Sequence, residues 1–171
     1  MPVLTPRPDG LIWKLAVAES TEGFSIGAIS VLSEEILALE AEAVAEGFRF
    51  LTRLITEWHS GANRFARPGE CLLGVFSNGQ LVAVGGLSHD PYAGPDVGRL
   101  RRLYVARASR GRNVGKALVS QLLEHAAQQF GVVRLSTDTR EGAAFYLRCG
   151  FEPVMDEHAT HAKSLSARKR S

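Results

Sequence analysis

A run of basic and small residues in the middle of the chain has the composition of a phosphate-binding turn. It reads RASRGRNVGKAL over residues 107–118. Gly111 and Gly115 would let the backbone approach a pyrophosphate closely, and Asn113 is the non-glycine residue type that best tolerates left-handed geometry. Positive side chains for further phosphate contacts come from Arg110, Arg112 and Lys116. The run therefore predicts a site that binds an anion through backbone N–H groups at the start of a helix.

Two better-known phosphate-binding motifs do not fit this run. A P-loop requires four residues between its glycines and then Lys followed by Ser or Thr. Here three residues separate Gly111 from Gly115, and Ala117 follows Lys116. No G-x-G-x-x-G occurs, which disfavours a dinucleotide site. The alternative that stays open is a structural glycine turn whose arginines are solvated.

The run lies between a predicted strand and a predicted amphipathic helix. Apolar residues four apart from Val114 to Phe130 predict a helix over 113–130, and Gly131 is suited to end it. Further helices are predicted over 34–47, 48–60 and 140–149, a hairpin over 71–87, and strands at 99–105, 132–136 and 151–155. The segment up to residue 32 is weakly patterned, and only a short strand at 11–17 is predicted in it. This order predicts a mixed α/β sheet with one parallel crossover.

The phosphate-binding run resembles the acetyl-CoA-binding motif of the GNAT superfamily of N-acetyltransferases, written Arg/Gln-x-x-Gly-x-Gly/Ala. Its three defined positions are held by Arg110, Asn113 and Gly115, so Asn113 is a departure. Residues 139–151 resemble a second family segment, Asn-x-x-Ala-x-x-Phe-Tyr-x-x-x-Gly-Phe. The matches there are Phe145, Tyr146, Gly150 and Phe151, and the departures are Thr139 and Gly142. The resemblance covers roughly residues 70–155.

The resemblance implies the acyl-CoA N-acyltransferase fold, a mixed α/β (α+β) architecture whose mostly antiparallel central sheet has helices on both faces. It also implies acetyl-CoA as cosubstrate and no metal. The pantetheine would pair with strand main chain where the fourth and fifth strands splay apart, and the pyrophosphate would meet the N–H groups of the run. The residues that the resemblance assigns to cofactor binding are Leu103, Tyr104, Val105, Arg110, Gly111, Arg112, Asn113, Val114, Gly115, Lys116, Thr139 and Tyr146.

Tyr146 occupies the position of the family's usual general acid, whose phenol would protonate the leaving CoA thiolate. The alternative is that Tyr146 is a packing residue beside Phe145. The implied activity is transfer of an acetyl group to a primary amine of a small molecule or protein by direct attack. A non-catalytic acyl-CoA-binding or regulatory domain on the same fold is the alternative. Asn113 and the lack of a carboxylate in the strand at 99–105 keep it open.

The general base is not visible in the sequence. Candidates from neighbouring elements are Glu57, Glu70, His89 and Asp90. A base is dispensable if water relays the proton or the amine has a low pKa. If Arg101 or Arg102 faces the acceptor groove, the acceptor would carry a carboxylate or phosphate; alternatively both face solvent or pair with acids such as Asp96.

The 171 residues carry a net charge of +2 and are 45% hydrophobic. This is the balance of an ordinary globular protein and not of a strongly basic nucleic-acid-binding protein. Two cysteines do not indicate a disulfide framework, and no apolar run approaches the roughly 18 residues that span a bilayer. We expect a cytoplasmic protein with one domain over 1–160 and a loose basic tail over 161–171. Neither nucleic acid nor membrane is expected as a partner, and a homodimer is compatible with the family.

The near-neutral average conceals a local excess of positive charge. Between residues 97 and 123 there is no acid but seven basic residues, Arg99, Arg101, Arg102, Arg107, Arg110, Arg112 and Lys116. This predicts one positive field where a single polyanionic cofactor would bind. Two other motifs are discounted: a G-x-S-x-G match at 23–27 follows polar residues and not a buried strand, and His158 with His161 lacks further metal ligands at recognised spacing.

Overall fold

The computed structural model describes residues 23–165, which form one seven-stranded sheet and four α-helices. The strands are β1 (Phe24–Ala28), β2 (Cys71–Ser77), β3 (Gln80–His89), β4 (Val97–Val105), β5 (Val132–Leu135), β6 (Glu152–Asp156) and β7 (Ala159–Ser164). The helices are α1 (Glu35–Ala45), α2 (Phe50–Ser60), α3 (Val114–Ala126) and α4 (Arg140–Arg148). The predicted class, a mixed and mostly antiparallel sheet with helices on both faces, is confirmed.

The strands are ordered β1-β2-β3-β4-β5-β7-β6 across the sheet. All neighbours are antiparallel except β4 and β5. Asn78 and Gly79 connect β2 to β3 with positive φ angles of 52° and 78°, as the hairpin prediction requires. α3 connects β4 to β5 and so makes the one parallel crossover.

Each face of the sheet has its own apolar core. α3 covers one face through buried side chains at helical spacing, namely Val114, Leu118, Leu122 and Ala126. α1 and α2 cover the other face through Ile36, Leu39, Leu51, Leu54 and Trp58. α4 lies on the α3 side, where Phe145 and Tyr146 pack against that core. Successive side chains of β4 therefore point alternately toward α3 and toward α1 and α2.

Two strands differ from the sequence prediction. β1, which the sequence analysis does not predict, includes most of the G-x-S-x-G match. It pairs with β2 and buries Phe24 and Ile26, so the match is not a turn before a helix. β7 includes residues 161–164, so the expected start of a loose tail at 161 is wrong. Its sequence, ATHAKS, has little strand character of its own, but β5 and β6 pair with it on both sides. The predicted strand at 11–17 and tail residues 166–171 lie outside the described residues.

β4 and β5 pair over a short stretch before they separate. The register joins Val97 to Val132, Gly98 to Val133 and Arg99 to Arg134. At this last pair, Arg99 and Arg134 both donate to Oδ2 of Asp90, at 3.3 and 2.9 Å. The Asp90 side chain is 0% exposed. Burial alone would raise the pKa of Asp90, but hydrogen bonds from Arg134 and the Tyr92 N–H, with the charge of Arg99, outweigh it and leave that pKa below 3.8.

We expect Asp90→Asn to lower the free energy of unfolding by about 3 kcal/mol at neutral pH, because the largely buried Arg99 loses its counter-charge and Arg134 keeps only the one from the exposed Asp156. The exposed Asp138→Asn is the control and should change it by less than about 0.5 kcal/mol. Because folding lowers the pKa of Asp90, its contribution is present above pH 3.8 and is lost as pH falls below that value. Urea unfolding at neutral and acid pH measures both effects; equal stability of wild type and variant at neutral pH would contradict them.

Candidate active site

Beyond Arg99, β4 continues through residues 100–105, whereas β5 ends at Leu135. Within the described residues, no strand pairs with this part of β4 on its β5 side. Its main chain therefore resembles a strand edge, which an extended ligand can pair with. The gap lies where the family resemblance places the pantetheine, and Leu103, Tyr104 and Val105 are on its β4 side.

A β-bulge turns the side chains of β4 at this gap. Arg102 and Leu103 together stand opposite Gly85 of β3. Arg102 has a left-handed φ of 61°. A Cβ on Gly85 would lie 2.5 Å from Cδ1 of Leu103, so glycine is needed opposite the bulge. The bulge lets Arg102 reach Glu57 of α2 while Leu103 packs on the α3 side.

The run between β4 and α3 forms the turn that its composition predicts. Gly111 and Asn113 have φ angles of 79° and 61°, which confirms the left-handed geometry expected of Asn113. α3 begins directly afterwards, and the Asn113 carbonyl accepts from the Ala117 N–H. Among the hydrogen bonds within residues 23–165, none uses the N–H groups of Val114, Gly115 and Lys116. Three adjacent N–H groups are thus available to an anion.

Gly115 allows α4 to lie against the first turn of α3. A Cβ on Gly115 would lie 3.2 Å from the ring of Phe145 in α4 and 3.3 Å from Val105 in β4. These contacts are tighter than ordinary van der Waals distances. Helix packing therefore accounts for the second glycine of the motif. The same packing holds α4, which carries Tyr146, near the start of α3.

The side chain of Arg110 points to α1 and not to the open N–H groups. Its Nε donates to the Val105 carbonyl at 3.0 Å, and its terminal nitrogens donate to both carboxylate oxygens of Glu46 at 2.8 and 2.7 Å. Its own N–H donates to the Arg107 carbonyl at 3.2 Å. The expected phosphate contact of Arg110 is thus not supported, because both its side chain and its N–H have other partners. Arg110 instead ties the turn to the end of α1.

The side chain of Tyr104 is part of the same connection. Its hydroxyl donates to Glu42 at 3.2 Å and also to Glu46. The residue is 3% exposed, so only its main chain is open to the gap. The hydrogen bond from Arg110, helped by the one from Tyr104, lowers the pKa of Glu46 to about 2. Burial and the neighbouring Glu46 raise the pKa of Tyr104, which keeps its hydroxyl a donor.

Tyr146 combines aromatic packing with a hydroxyl that has no partner among the described residues. Its ring meets those of Phe145 and Phe151 edge-on, with centroids 5.0 and 5.7 Å apart. None of the hydrogen bonds within residues 23–165 involves its hydroxyl, and the residue is partly buried. Burial raises the pKa of Tyr146 further above its ordinary value of 10, and the phenol is protonated at neutral pH. Packing and proton donation are compatible roles here.

The departures from the second motif belong to one helix cap. Thr139 precedes α4, and its Oγ1 accepts from the Gly142 N–H at 3.0 Å. A Cβ on Gly142 would lie 2.8 Å from that oxygen and closer still to the Thr137 hydroxyl. An alanine at 142 therefore does not fit beside these two threonines. The Thr139 hydroxyl, which the family resemblance assigns to cofactor binding, thus accepts the capping hydrogen bond from the Gly142 N–H.

The four candidate bases occupy different environments. Both oxygens of Asp90 are engaged, by two arginines and by a backbone N–H. Glu70 accepts from the His89 N–H at 2.8 Å, and Nε2 of His89 lies 2.9 Å from the Pro68 carbonyl in the loop before β2. Glu57 of α2 lies beside the bulge, 2.6 Å from Arg102. Of the four, Glu57 is the carboxylate next to the bulged part of β4.

The seven basic residues do not form one positive field. Four of them pair with acids distant in sequence: Arg99 with Asp90, Arg102 with Glu57, and Arg107 and Arg110 with Glu46. The three without an ion-pair partner among residues 23–165 are Arg101, Arg112 and Lys116. Arg112 and Lys116 flank the open N–H groups, whereas Arg101 lies on β4. The prediction of a single field is therefore wrong.

A groove of about 390 Å³ extends along α3 from Lys116. Its other wall contains Arg148, Cys149 and Lys163, from the end of α4 and from β7. The Lys163 ammonium donates to the Cys149 carbonyl at 3.0 Å. The groove is thus lined by three positive side chains and one acid, Glu124, and its Lys116 end adjoins the open N–H groups at the start of α3.

Neither histidine of the discounted pair lies in a metal-binding cluster. The ring of His158 stacks on Tyr92 with centroids 3.8 Å apart, and Nδ1 of His161 lies 2.8 Å from the Thr160 hydroxyl. Residues 23–165 contain no group of three or more His, Cys, Asp or Glu side chains placed to hold a metal. Over the same range, no helix combines the length and the apolar character needed to cross a membrane.

We expect Glu46→Gln to lower the free energy of unfolding by about 1–2 kcal/mol at neutral pH, because the bidentate bond from Arg110 loses its charged acceptor. Since the pKa of Glu46 falls from 4.5 to about 2 on folding, this stability is present above pH 4.5 and is lost as pH falls toward 2. Glu40→Gln on the same helix is the matched control. Thermal unfolding across this pH range tests the prediction, which fails if the two variants respond alike.

Solved structures share this fold over most of the chain. A candidate acetyltransferase from Exiguobacterium sp. 255-15 has a TM-score of 0.75 at 24% identity and covers 82% of this chain and 93% of its own. A GNAT-family acetyltransferase from Staphylococcus aureus Mu50 has a TM-score of 0.61 at 15% identity, covering 83% and 100%. Glucosamine-6-phosphate N-acetyltransferase from Arabidopsis thaliana has a TM-score of 0.54 at 17% identity, covering 80% and 97%. Identities this low establish the fold alone.

No curated protein matches the chain in sequence. The family model of the acetyltransferase (GNAT) family matches residues 30–151, which contain both motifs and all elements from α1 to α4. With the end of β4–β5 pairing after Arg99 and the left-handed turn before α3, this match shows that the chain belongs to the acetyltransferase (GNAT) family.

Proposed function

We propose that the protein transfers an acetyl group from acetyl-CoA to a primary amine, which attacks the thioester carbonyl directly. Three features without a partner in the described residues support the proposal, and they lie on β4, α3 and α4. They are the open edge of β4, the N–H groups at the start of α3 and the Tyr146 hydroxyl on α4. Together they are suited to acetyl-CoA, whose pantetheine, pyrophosphate and thioester sulfur need a strand edge, N–H donors and a proton donor in turn.

The groups around the gap fit the successive parts of CoA. The open main chain of Leu103 and Tyr104 would pair with the pantetheine amides. The N–H groups of Val114, Gly115 and Lys116 would hold the pyrophosphate. Arg112 and the Lys116 side chain, which have no ion-pair partner in the described chain, would add charge there. The groove along α3 leaves room for the remaining nucleotide.

In the proposed transfer, a nitrogen–carbon bond forms and the carbon–sulfur bond breaks. Tyr146 would donate its proton to the departing sulfur, since its phenol carries that proton at neutral pH. The amine loses its proton to water or to Glu57, whose carboxylate is held by Arg102. Holding the two reactants together in the gap would supply much of the acceleration.

Turnover of purified protein with acetyl-CoA and a panel of amines tests the function. We expect release of free CoA thiol that depends on the amine, with a matching acetylated product by mass spectrometry. Tight CoA binding without turnover on any amine would favour a non-catalytic acyl-CoA-binding domain. Absence of CoA binding would contradict both functions.

We expect Tyr146→Phe to lower kcat by about 100-fold, because the ring packing remains and the proton donor is lost. The KM for acetyl-CoA and the unfolding midpoint should change little, since the contacts with Phe145 and Phe151 are kept. Steady-state kinetics and thermal unfolding of both proteins provide the measurement and its control. Unaltered turnover would show that Tyr146 is a packing residue.

We expect Arg112→Gln and Lys116→Gln each to weaken CoA binding by about 10-fold, because each removes a charge-assisted contact with phosphate. Arg53→Gln, an exposed arginine on α2, is the control and should leave the affinity unchanged. Isothermal titration with CoA measures all three. If Arg53→Gln weakens binding as much as the other two, the effect is one of net charge and the assignment is wrong.

A further inference from the structure

Arg101 lies on the face of β4 that α1 and α2 cover. Its partner in the register with β3 is Gly86, and directly paired residues of antiparallel strands project to the same face. A Cβ on Gly86 would overlap the ring of Phe65, which belongs to the core beneath α1 and α2. Arg101 therefore projects away from α3 and from the N–H groups at its start.

Arg101 also differs from the arginines beside it in having no ion-pair or hydrogen-bond partner among residues 23–165. Arg99 lies 3.3 Å from Asp90, and Arg102 lies 2.6 Å from Glu57. Among the ion pairs and side-chain hydrogen bonds within residues 23–165, none involves the partly buried Arg101. Burial and the charges of Arg102 and Arg99 lower the pKa of Arg101 by more than the charge of Glu57 raises it. The fold thus holds a guanidinium in surroundings that an added anion would stabilise.

Energetically unfavourable conformations lie next to Arg101 on β4 and over its β3 partner Gly86. The next residue, Arg102, has a φ of 61°, and Phe65, which covers Gly86, has a φ of 51°. Nε of Arg102 is buried without a hydrogen-bond partner in the described chain. Left-handed non-glycine residues and unpaired buried donors both destabilise a folded chain. Such costs concentrate where a fold must hold side chains in a particular arrangement for function.

We propose that the acceptor amine carries an anionic oxygen group, a carboxylate or a phosphate, and that Arg101 binds this group. The inference rests on the proposed acetyl transfer. The phosphates of CoA do not account for Arg101, because the N–H groups and basic side chains suited to them lie on the α3 side of the sheet.

The planar guanidinium of Arg101 suits such a group, since two parallel N–H donors can reach two oxygens of one carboxylate or phosphate. Binding at the anionic end would fix the other end of a small acceptor relative to the gap between β4 and β5. The amine would then meet the thioester in a restricted range of orientations. Arg101 is in this respect a specificity-determining residue, and it takes no part in proton transfer.

Matched amine pairs test the inference on the full-length protein. β-Alanine is compared with β-alaninamide, and O-phosphoethanolamine with ethanolamine, so that each pair differs in one anionic group. We expect the anionic member of one pair to have a kcat/KM at least about 10-fold above its neutral partner. The pair that shows the preference distinguishes carboxylate from phosphate.

Variants of Arg101 assign the preference to this side chain. Arg101→Gln should lower kcat/KM for the anionic amine by about 10- to 100-fold, mainly through KM, and leave the neutral amine and acetyl-CoA unaffected. Arg101→Lys keeps the positive charge but lacks the planar guanidinium, so its kcat/KM for the anionic amine should lie between those of wild type and Arg101→Gln. If Arg101→Gln does not fold, the comparison of Arg101→Lys with wild type is the test. Arg53→Gln on α2 is the control and should behave as wild type.

Equal use of both members of each pair, or equal losses for both in Arg101→Gln, would overturn the inference. If no amine is acetylated, the proposed function fails, and titration of β-alanine and O-phosphoethanolamine into the CoA-saturated protein decides the inference alone. Binding of either probe that Arg101→Gln removes would support the anion site. Binding that the variant leaves unchanged, or no binding to wild type, would refute it.

Discussion

The buried carboxylate of Asp90 joins the two central strands at the last position where they pair. One of its oxygens accepts from Arg99 of β4 and from Arg134 of β5, and the other accepts from the Tyr92 N–H. Two guanidinium groups side by side would repel each other, so a shared carboxylate lets the strands pair this far. Beyond this point the strands separate, and the gap leaves the main chain of β4 open. Every other part of the candidate site is placed relative to that gap.

The turn before α3 is held from the opposite face of the sheet. Arg110 reaches past the end of β4 to Glu46 at the end of α1, and its guanidinium lies over the Tyr104 ring, 5.4 Å from the centroid. Arg110, the arginine of the motif, thus positions the turn through these contacts and does not point its charge at the open N–H groups. It fixes the turn so that the N–H groups after Asn113 remain together and unpaired. Gly115 then lets α4 approach, which keeps Tyr146 near the same turn.

The sheet separates two kinds of positive charge. On the α3 side, Arg112, Lys116 and the basic wall of the groove surround N–H groups suited to phosphates. On the other side, Arg99 and Arg102 are neutralised by acids while Arg101 is not. The two groups come from different elements, because Arg112 and Lys116 belong to the turn and α3 whereas Arg99, Arg101 and Arg102 belong to β4. A gap in the sheet is what would let two ligands bound on opposite faces meet, and the splay of β4 from β5 provides it.

The sequence alone predicted the features that depend on local patterns. Helical spacing located α3, Asn78-Gly79 located a hairpin, and the types and spacing of Arg110, Asn113 and Gly115 located the turn and the family. It could not predict β7, whose small and polar residues form a strand because two neighbours pair with it.

Nor could the sequence assign partners to the arginines. Arg134 meets Asp90, Arg102 meets Glu57 and Arg110 meets Glu46 across 44, 45 and 64 positions of the chain. Composition and spacing report which charges exist and which helices and turns form, because those depend on near neighbours. Which charges are neutralised, and which one is left for a ligand, depends on contacts between distant segments that only the folded sheet brings together.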